Sequence, residues 1–270
     1  MMTMSPRRFR DLVLTYHREY GRHDLPWRKT RDPYRILVSE IMLQQTQVER
    51  VVPFYLAFLK KFPTARALAS APLGEVLAAW QGLGYNRRAK MLHDTAKRVA
   101  AEHGGKVPTD IAALEALPGI GPYTARAVAA FAGNADTVFI ETNIRTAVTH
   151  HFFNKKTKVV DRELLEVLAK AYPKGRAREW YAALMDYGSF LKRSGVRLNA
   201  RSAGYVRQAP FKGSVREVRG AILKALAGRR QSAAELLSLL PDRREQLVAS
   251  LRKLEAEGLV TKQGGEFRLP

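Results

Sequence analysis

A carboxyl group suited to donate a proton occurs at Glu40, within the segment Asp32–Val48. Asp32 followed by Pro33 is typical of a helix start, because aspartate caps and proline fits the first turn. At about 100° per residue, the helix places Glu40 on an apolar face. That face contains Ile36, Leu37, Leu43 and Val48 together with Gln44 and Gln47, whereas Arg35, Ser39, Gln45, Thr46 and Glu49 fall on other faces. Apolar surroundings raise the pKa of a carboxyl group, which suits a general acid, although an ion pair with an arginine of a neighbouring helix is the alternative.

A second acidic residue, Glu141, ends the apolar run of Thr137–Glu141 at a predicted helix start. It could simply cap that helix. The chemical alternative is an ionised carboxylate facing a developing positive charge, such as the oxocarbenium-like sugar formed when a glycosidic bond breaks. A neutral Glu40 that protonates the leaving group and an ionised Glu141 that stabilises the sugar would form a matched pair.

The segment Leu117–Ala125, LPGIGPYTA, lies between two predicted helices. Gly119 and Gly121 can adopt backbone angles that other residues avoid, and they keep side chains out of the way of a partner. Thr124 and the amides that open the next helix could then bind a phosphate oxygen, assisted by the helix dipole. An ordinary tight turn would explain a bare G-x-G, but the complete string is much more specific.

The net charge indicates a polyanionic partner. Lys and Arg number 46 against 25 for Asp and Glu, a formal charge of +21. Such an excess favours nucleic-acid binding, because each phosphate contact releases counterions, although a ribosome-associated or merely soluble basic protein is the alternative. Amides such as Gln44 and Gln47 suit hydrogen bonds to base edges. Arg87, Arg88 and Lys90 open a predicted helix and are candidate phosphate contacts, with a solvated face as the alternative.

The sequence contains no cysteine, which excludes disulfides, thiolate zinc sites and iron–sulfur clusters. The histidine spacing offers no zinc pattern, so no metal site is predicted. The N-terminal segment has no uninterrupted apolar core, and no stretch approaches the roughly 18 apolar residues that span a bilayer. We therefore expect a soluble protein in the cytoplasm, associated with the nucleoid and not with a membrane.

Helical periodicity dominates and predicts an all-α protein. The predicted helices cover 6–20, 34–48, 49–61, 73–80, 87–103, 111–116, 122–132, 142–152, 161–171 and 175–191. Composition then changes, since Tyr187 to Lys212 contains six Lys or Arg residues and no acid. The predicted organisation is a helical domain over 1–191, a basic linker over 192–213 and a small domain over 214–270.

The last segment has its own pattern. Helices are predicted at 214–227, 232–240 and 242–257, and two short strands flank Gly264–Gly265. This is the order of a winged helix. Its third helix carries Arg243, Arg244, Arg252 and Lys253. DNA contact by this domain and a protein-interaction module both remain open.

Five segments together resemble the MutY adenine glycosylases of the helix-hairpin-helix-GPD superfamily. They are Leu25–Trp27, Ser39–Gln47, Trp80–Tyr85, Leu117–Ala125 and Glu141–Asn143, which occur in the family's order and approximate spacing. The resemblance covers about residues 6–190. It implies two α-helical subdomains with the DNA-facing cleft between them, and the winged-helix-like domain follows.

The resemblance also implies residue roles. Glu40 stands where the family's general acid protonates adenine, and Asn143 where an asparagine supports the catalytic carboxylate. Gln44 and Tyr85 stand where residues wedge into the duplex as the nucleotide flips out. Tyr123 stands where relatives with lyase activity carry lysine, so a monofunctional enzyme is expected. The further candidate DNA contacts are Gln45, Arg87, Gly119, Gly121, Thr124, Lys192 and Arg193.

Three departures from the family pattern matter. Glu141 replaces the family's catalytic aspartate and is one methylene longer. The four cluster-binding cysteines are missing, and Lys192 lies near the first of their positions. The usual C-terminal domain that checks for 8-oxoguanine is absent. No cofactor is therefore expected, and a monovalent cation at the hairpin backbone stays open.

The leading interpretation is a monofunctional glycosylase that acts as a monomer on double-stranded DNA containing a mispair or lesion. It would excise adenine opposite 8-oxoguanine or guanine. The same chemistry on thymine or uracil in a mispair is one alternative. A non-catalytic DNA-binding protein and an abasic-site lyase that uses a lysine elsewhere are the others.

Overall fold

The computed structural model describes residues 4–201 and 210–270, so residues 202–209 of the predicted basic linker lie outside the described residues. The helices are α1 (Pro6–Tyr20), α2 (Pro33–Leu43), α3 (Val48–Lys61), α4 (Ala65–Ser70), α5 (Leu73–Ala79), α6 (Arg87–Glu102), α7 (Ile111–Glu115), α8 (Pro122–Gly133), α9 (Thr142–Phe152), α10 (Asp161–Ala171), α11 (Ala177–Arg193), α12 (Val215–Leu226), α13 (Ala233–Ser238) and α14 (Arg244–Ala256). The strands are β1 (Gln231–Ser232), β2 (Thr261–Gln263) and β3 (Glu266–Arg268). The predominantly helical fold predicted from the periodicity is thus confirmed.

Two short elements were not predicted from the sequence. Helix α4 begins after Thr64, whose hydroxyl accepts a hydrogen bond from the Ala67 amide at 3.1 Å. Strand β1 has two residues and exists through its pairing with β3, where Gln231 lies opposite Phe267. With two residues, β1 is too short for periodicity to reveal it.

The chain forms two compact units by its internal contacts. The first contains the described chain up to Leu37, Pro108–Glu115 and the chain from Ile120 to the end of the first described range. The second contains Val38–Val107, Ala116–Gly119 and the described C-terminal segment. The predicted domain boundaries follow the linear order of the chain and stay a prediction.

The first unit is built around α1 and α8–α11. Its core contains Phe9, Trp180, Tyr181 and Leu184, all completely buried. Asp186 of α11 fastens the segment after α1 to this core. Its carboxylate accepts hydrogen bonds from Arg22 and Arg28 and contacts His17 at 2.9 Å. These contacts give Asp186 a structural role.

The second unit joins α3–α6 and the C-terminal segment. Within the latter, α12, α13 and α14 pack with a three-stranded antiparallel sheet of order β1–β3–β2. The predicted turn between β2 and β3 is confirmed, since Gly264 and Gly265 have positive φ angles of 58° and 83°. Helix order and sheet together give a winged-helix-like domain. It contacts α5, where the Gly74 amide donates to the Pro270 carbonyl at 2.7 Å.

No helix in the described ranges 4–201 and 210–270 has both the length and the apolar character needed to cross a membrane.

Candidate active site

Helix α2 buries Glu40 as the sequence predicts. Tyr34 donates its amide hydrogen to the Asp32 carboxylate at 2.9 Å, which confirms the predicted cap, and Pro33 opens the helix. Glu40 is 5% exposed. The buried surface of α2 extends beyond one face, however, because Ser39 was predicted on another face of the helix and is only 1% exposed. Helix α2 is therefore buried almost all round, and Glu40 is one of few polar groups on it.

Helix α2 ends at Leu43, earlier than the predicted residue 48, so the prediction that Gln44 and Gln47 share the helical face of Glu40 is wrong. Gln45 adopts the left-handed region with φ of 55°, which no α-helix continues. Gln47 is the N-cap of α3. Gln44 and Gln45 instead lie in the turn directly after the helix that carries Glu40.

Arg88 of α6 explains this early helix end. Its guanidinium donates to the carbonyls of Ile41 at 2.9 Å, Met42 at 3.0 Å and Gln44. These are carbonyls that lose their helical partners where α2 stops. Burial lowers the pKa of Arg88 to about 10. The sequence-based expectation that Arg88 contacts a phosphate is therefore wrong, since it is a buried structural residue.

Tyr85 lies in the turn before α6 and adopts a positive φ of 50°, which is uncommon for a residue with a side chain. It is half-buried. The guanidinium of Arg88 lies 5.4 Å from the ring centroid. Arg87, the next predicted DNA contact, is exposed, and its guanidinium reaches Glu257 at 4.0 Å. The second unit thus contains Glu40, the Gln44–Gln45 turn and Tyr85.

The predicted hairpin lies between α7 and α8. Gly119 has a φ of 74°, and a Cβ atom there would lie 2.4 Å from Cε of Met91. The Pro118 carbonyl accepts a hydrogen bond from Thr95 at 2.7 Å. Gly121 is the N-cap of α8, and a Cβ atom built on it would meet nothing within 4 Å. The turn thus packs against α6 through Pro118 and Gly119, whereas the space beside Gly121 is empty. The N-terminus of α8 at Gly121 favours an anion.

Thr124 is 3% exposed, whereas Gly121 is exposed. The backbone at Gly121 is therefore better placed than the Thr124 hydroxyl for the predicted phosphate contact. Tyr123 packs edge-on against Phe139, with ring centroids 5.7 Å apart. Phe139 in turn stacks on Tyr181 at 3.7 Å. This aromatic contact joins the start of α8 to the strand-like segment that leads to Glu141.

Glu141 is the N-cap of α9, so the capping interpretation is confirmed. One carboxylate oxygen, Oε1, accepts from the amides of Asn143 at 2.7 Å and Ile144 at 2.9 Å. The other, Oε2, accepts from the side-chain amide of Asn143 at 3.2 Å. Capping does not exclude chemistry, because it holds the carboxylate in one orientation with only donors around it.

Lys192 at the end of α11 completes this network. Its ammonium donates to Oδ1 of Asn143 at 2.9 Å. Because an ammonium can only donate, it fixes which end of the Asn143 amide carries the oxygen. The amide NH₂ group is thereby directed toward Glu141. Lys192, predicted from the sequence as a DNA contact, thus lies one side chain away from the candidate catalytic carboxylate, while the neighbouring Arg193 is exposed.

Burial raises the pKa of the Glu141 carboxyl group, and this effect exceeds the lowering by the Asn143 and Ile144 amides and by Lys192. The sequence predicted an ionised carboxylate at Glu141. In the structure the ionised form depends instead on three hydrogen bonds and a nearby ammonium, because desolvation opposes it. The charge of Glu141 is therefore sensitive to its neighbours.

Histidine and acidic residues elsewhere show no grouping of three or more that could hold a metal ion within the described part of the chain. His151, for example, contacts the Tyr187 hydroxyl at 2.8 Å, and burial lowers its pKa to about 4.

Comparison with known proteins agrees with this architecture. The family model for HhH-GPD superfamily base excision DNA repair proteins matches residues 38–170. The adenine DNA glycosylase of Mycolicibacterium smegmatis is 41% identical over 225 residues, 77% of either chain. That of Mycobacterium tuberculosis strain H37Rv is 37% identical over 290 aligned residues, 98% of this chain and 95% of the relative.

A solved thermostable thymine-DNA glycosylase is 27% identical with a TM-score of 0.61, and the match covers 72% of this chain and 93% of that one. The identity and coverage of the two mycobacterial relatives show that the chain belongs to the MutY-like adenine DNA glycosylases of the helix-hairpin-helix-GPD superfamily. The resemblance first seen in five short segments is confirmed.

No local pattern in the sequence indicates the long-range contacts made by Arg88 and Lys192. Both were predicted as DNA contacts, with a solvated face as the alternative for Arg88. The carbonyls that Arg88 binds at the end of α2 lie 44 to 47 residues away along the chain, and the Asn143 bound by Lys192 lies 49 residues away.

Proposed function

We propose that this protein is a monofunctional DNA glycosylase that hydrolyses the N-glycosidic bond of adenine mispaired with 8-oxoguanine or guanine. The observation that carries the proposal is the buried Glu40 on a chain that belongs to the MutY-like family. The names of the two mycobacterial relatives support adenine as the excised base.

The chemistry follows from the two carboxyl groups. The Glu40 carboxyl donates its proton to a ring nitrogen of the extruded adenine, and the bond between C1′ and the base breaks with its electron pair leaving on the base. The ionised Glu141 stabilises the positive charge on the sugar. Water then adds to C1′ and releases a proton, which leaves an abasic site, free adenine and a carboxyl group that is reprotonated from solvent.

The network around Glu141 supports its role. Asn143 and Lys192 place only donors and a positive charge on one side of the carboxylate, so its ionised form is available to a cation. Glutamate is longer than the aspartate of the family pattern, and capping of α9 takes up one of its two oxygens. The other oxygen, Oε2, is the atom that we assign to the sugar.

The DNA contacts are proposed in two groups. Gly119 and Gly121 give a phosphate access to the hairpin backbone, with Thr124 behind them. Gln44, Gln45 and Tyr85 fill the space left by the extruded nucleotide, and Arg87 and Arg193 contact phosphates.

We also propose that the fold is maintained without an iron–sulfur cluster. The sequence contains no cysteine, so the thiolate ligands of such a cluster do not exist in this chain. Lys192, at the end of α11 and near the first of the family's cysteine positions, instead donates a hydrogen bond to Asn143. A DNA substrate places the proposed activity at the nucleoid, which imaging of a fluorescently tagged chain would test.

The decisive experiment is excision profiling on duplexes that carry each mispair and 8-oxoguanine opposite adenine, with alkali to reveal abasic sites. We expect cleavage only at adenine. Strand cleavage without alkali would contradict the monofunctional assignment. Release of thymine or uracil would favour the alternative substrate class, and no release at all would favour a non-catalytic DNA-binding protein.

The general acid is tested by Glu40→Gln, which keeps the side-chain shape but removes the acidic proton. We expect excision to fall at least about 100-fold, in line with the usual effect of a lost general acid, while DNA affinity stays within a factor of two or so. Glu49→Gln is the matched control, because this residue lies nearby in the first turn of α3 and is exposed. Unchanged excision by the Glu40 variant would refute the assignment.

A further inference from the structure

Tyr85 contacts two guanidinium groups, one from the start of the helix that follows it and one from a distant part of the chain. Arg88, three residues later, lies 5.4 Å from the ring centroid. Arg216, on α12 of the winged-helix-like domain, lies 5.7 Å from the same centroid and donates to the Tyr85 hydroxyl at 2.9 Å. The C-terminal domain therefore contacts the tyrosine that is proposed to enter the duplex.

The turn that carries Tyr85 is already fixed by its own unit. The Gly84 carbonyl accepts from Trp80 at 3.2 Å and from Arg88 at 3.1 Å. The backbone of this turn thus has donors from its own segment, whereas Arg216 comes from α12. Its hydrogen bond acts on the end of the Tyr85 side chain, which is the part that would meet the bases.

The C-terminal domain also has other attachments, so Arg216 is not required to hold it in place. The Gly74 amide donates to the Pro270 carbonyl at 2.7 Å. Glu257 of the C-terminal domain pairs with Arg219 at 2.5 Å and reaches Arg87 of α6 at 4.0 Å. The contact between Arg216 and Tyr85 thus has a local consequence that can be separated from domain docking.

We propose that Arg216 is a positioning residue that holds the Tyr85 side chain ready for insertion beside the extruded nucleotide. The C-terminal domain would then take part in lesion extrusion through Tyr85, whatever else it binds. The inference rests on the proposed function, because Tyr85 has this role only if a nucleotide leaves the stack. Ordering one side chain in advance is worth about two- to tenfold in the equilibrium for insertion.

The experiment is a double-mutant cycle in the full-length protein with Arg216→Ala, Tyr85→Phe and the double variant. Two readouts are measured: the single-turnover excision rate on a duplex with a mispaired adenine, and the fluorescence rise on a second duplex with 2-aminopurine in place of that adenine. Tyr85→Phe removes only the hydroxyl that Arg216 binds. We expect either single variant to lower both readouts by about two- to tenfold. Each readout of the double variant should fall no further than in a single variant, because both substitutions remove the same hydrogen bond.

Two further variants separate positioning from structure and charge. Arg216→Lys retains a donor and is expected to recover part of the fluorescence rise. Arg229→Ala is the matched control, since it removes one positive charge from the same domain at an exposed side chain paired with Glu235 at 3.4 Å. It is expected to behave like the wild type.

Losses that multiply in the double variant, or an Arg216→Ala protein with wild-type extrusion, would overturn the inference while the proposed function stands. If Arg216→Ala does not fold, the comparison of Tyr85→Phe and Arg216→Lys decides, because wild-type behaviour of both contradicts the role of this hydrogen bond. A wild-type chain that neither excises adenine nor raises the fluorescence would overturn both the proposed function and the inference.

Discussion

Replacement of Lys192 by methionine tests how the charge of Glu141 is maintained. The ammonium of Lys192 donates to Oδ1 of Asn143, whose NH₂ group donates to Glu141. Burial raises the pKa of the Glu141 carboxyl group, and Lys192 opposes that effect. Methionine keeps much of the side-chain volume but removes both the charge and the donor. The pKa of Glu141 should therefore rise further in the variant.

The magnitude follows from the geometry of the network. Two hydrogen bonds, of 2.9 Å and 3.2 Å, with one amide group between them separate the ammonium from the carboxylate. At about 7 Å and an effective dielectric constant of about 20, two unit charges attract by about 2 kcal/mol. Lys192 is half-buried, so screening by water reduces this to about 1 kcal/mol. That corresponds to an excision rate about fivefold lower wherever the ionised fraction of Glu141 limits the reaction.

The assay is the single-turnover excision rate as a function of pH at saturating enzyme. Excision requires ionised Glu141, so the rate falls as pH drops through its pKa, and a higher pKa moves this fall to higher pH. The variant should lose most activity on the acidic side and approach the wild type on the alkaline side. Lys170→Met, at an exposed residue of α10, is the control for loss of charge.

A different pH profile would refute the reasoning. If Lys192 is only a phosphate contact, as its sequence position suggests, the variant should weaken DNA binding and retain the wild-type pH dependence of the saturated rate. An unchanged pH dependence together with a reduced affinity would therefore separate the two roles in favour of the DNA contact.

Three other predictions follow from the described structure. Gly119→Ala should lower the free energy of unfolding by about 1–3 kcal/mol in urea titrations, because φ is 74° and the new Cβ would lie 2.4 Å from Met91. Gly121→Ala should leave the free energy of unfolding unchanged, because the new Cβ would meet nothing within 4 Å. Equal losses in the two variants would contradict the packing argument. Asp186→Asn should lower the free energy of unfolding by about 3–5 kcal/mol, because it removes the buried carboxylate that pairs with the partly exposed Arg22 and Arg28. Burial opposes ionisation of Asp186, but the hydrogen bonds from His17 and Arg28 lower its pKa. The stability that its carboxylate contributes is therefore present above about pH 4 and is lost as pH falls. A wild-type thermal midpoint that does not change as pH is lowered would contradict this role. With a net charge of +21, DNA affinity should fall steeply with salt in a titration, and a flat dependence between about 50 and 200 mM would exclude phosphate tracking.

Local sequence decided most of the helices and the immediate surroundings of the two carboxyl groups. Asp32 and Pro33 start α2 as predicted, and the apolar residues that follow bury Glu40. Glu141 opens α9 because a side-chain oxygen at the N-cap binds amides two and three residues later. These interactions join residues that are close along the chain, so spacing and residue type predict them.

Tertiary structure decided where α2 stops and what surrounds each candidate site residue. Arg88 ends α2 from more than 40 residues away, Lys192 reaches Asn143 across 49, and Arg216 reaches Tyr85 across 131. Periodicity does not predict such pairs, because a lone basic residue has the same local sequence pattern whether its side chain is solvated or buried. The sequence by itself determined that two carboxyl groups and a glycine-containing hairpin occur in a helical chain. The donors around Glu141 and the partner of the Tyr85 hydroxyl were decided only by long-range packing, which brings buried polar groups together so that each finds a hydrogen-bond partner.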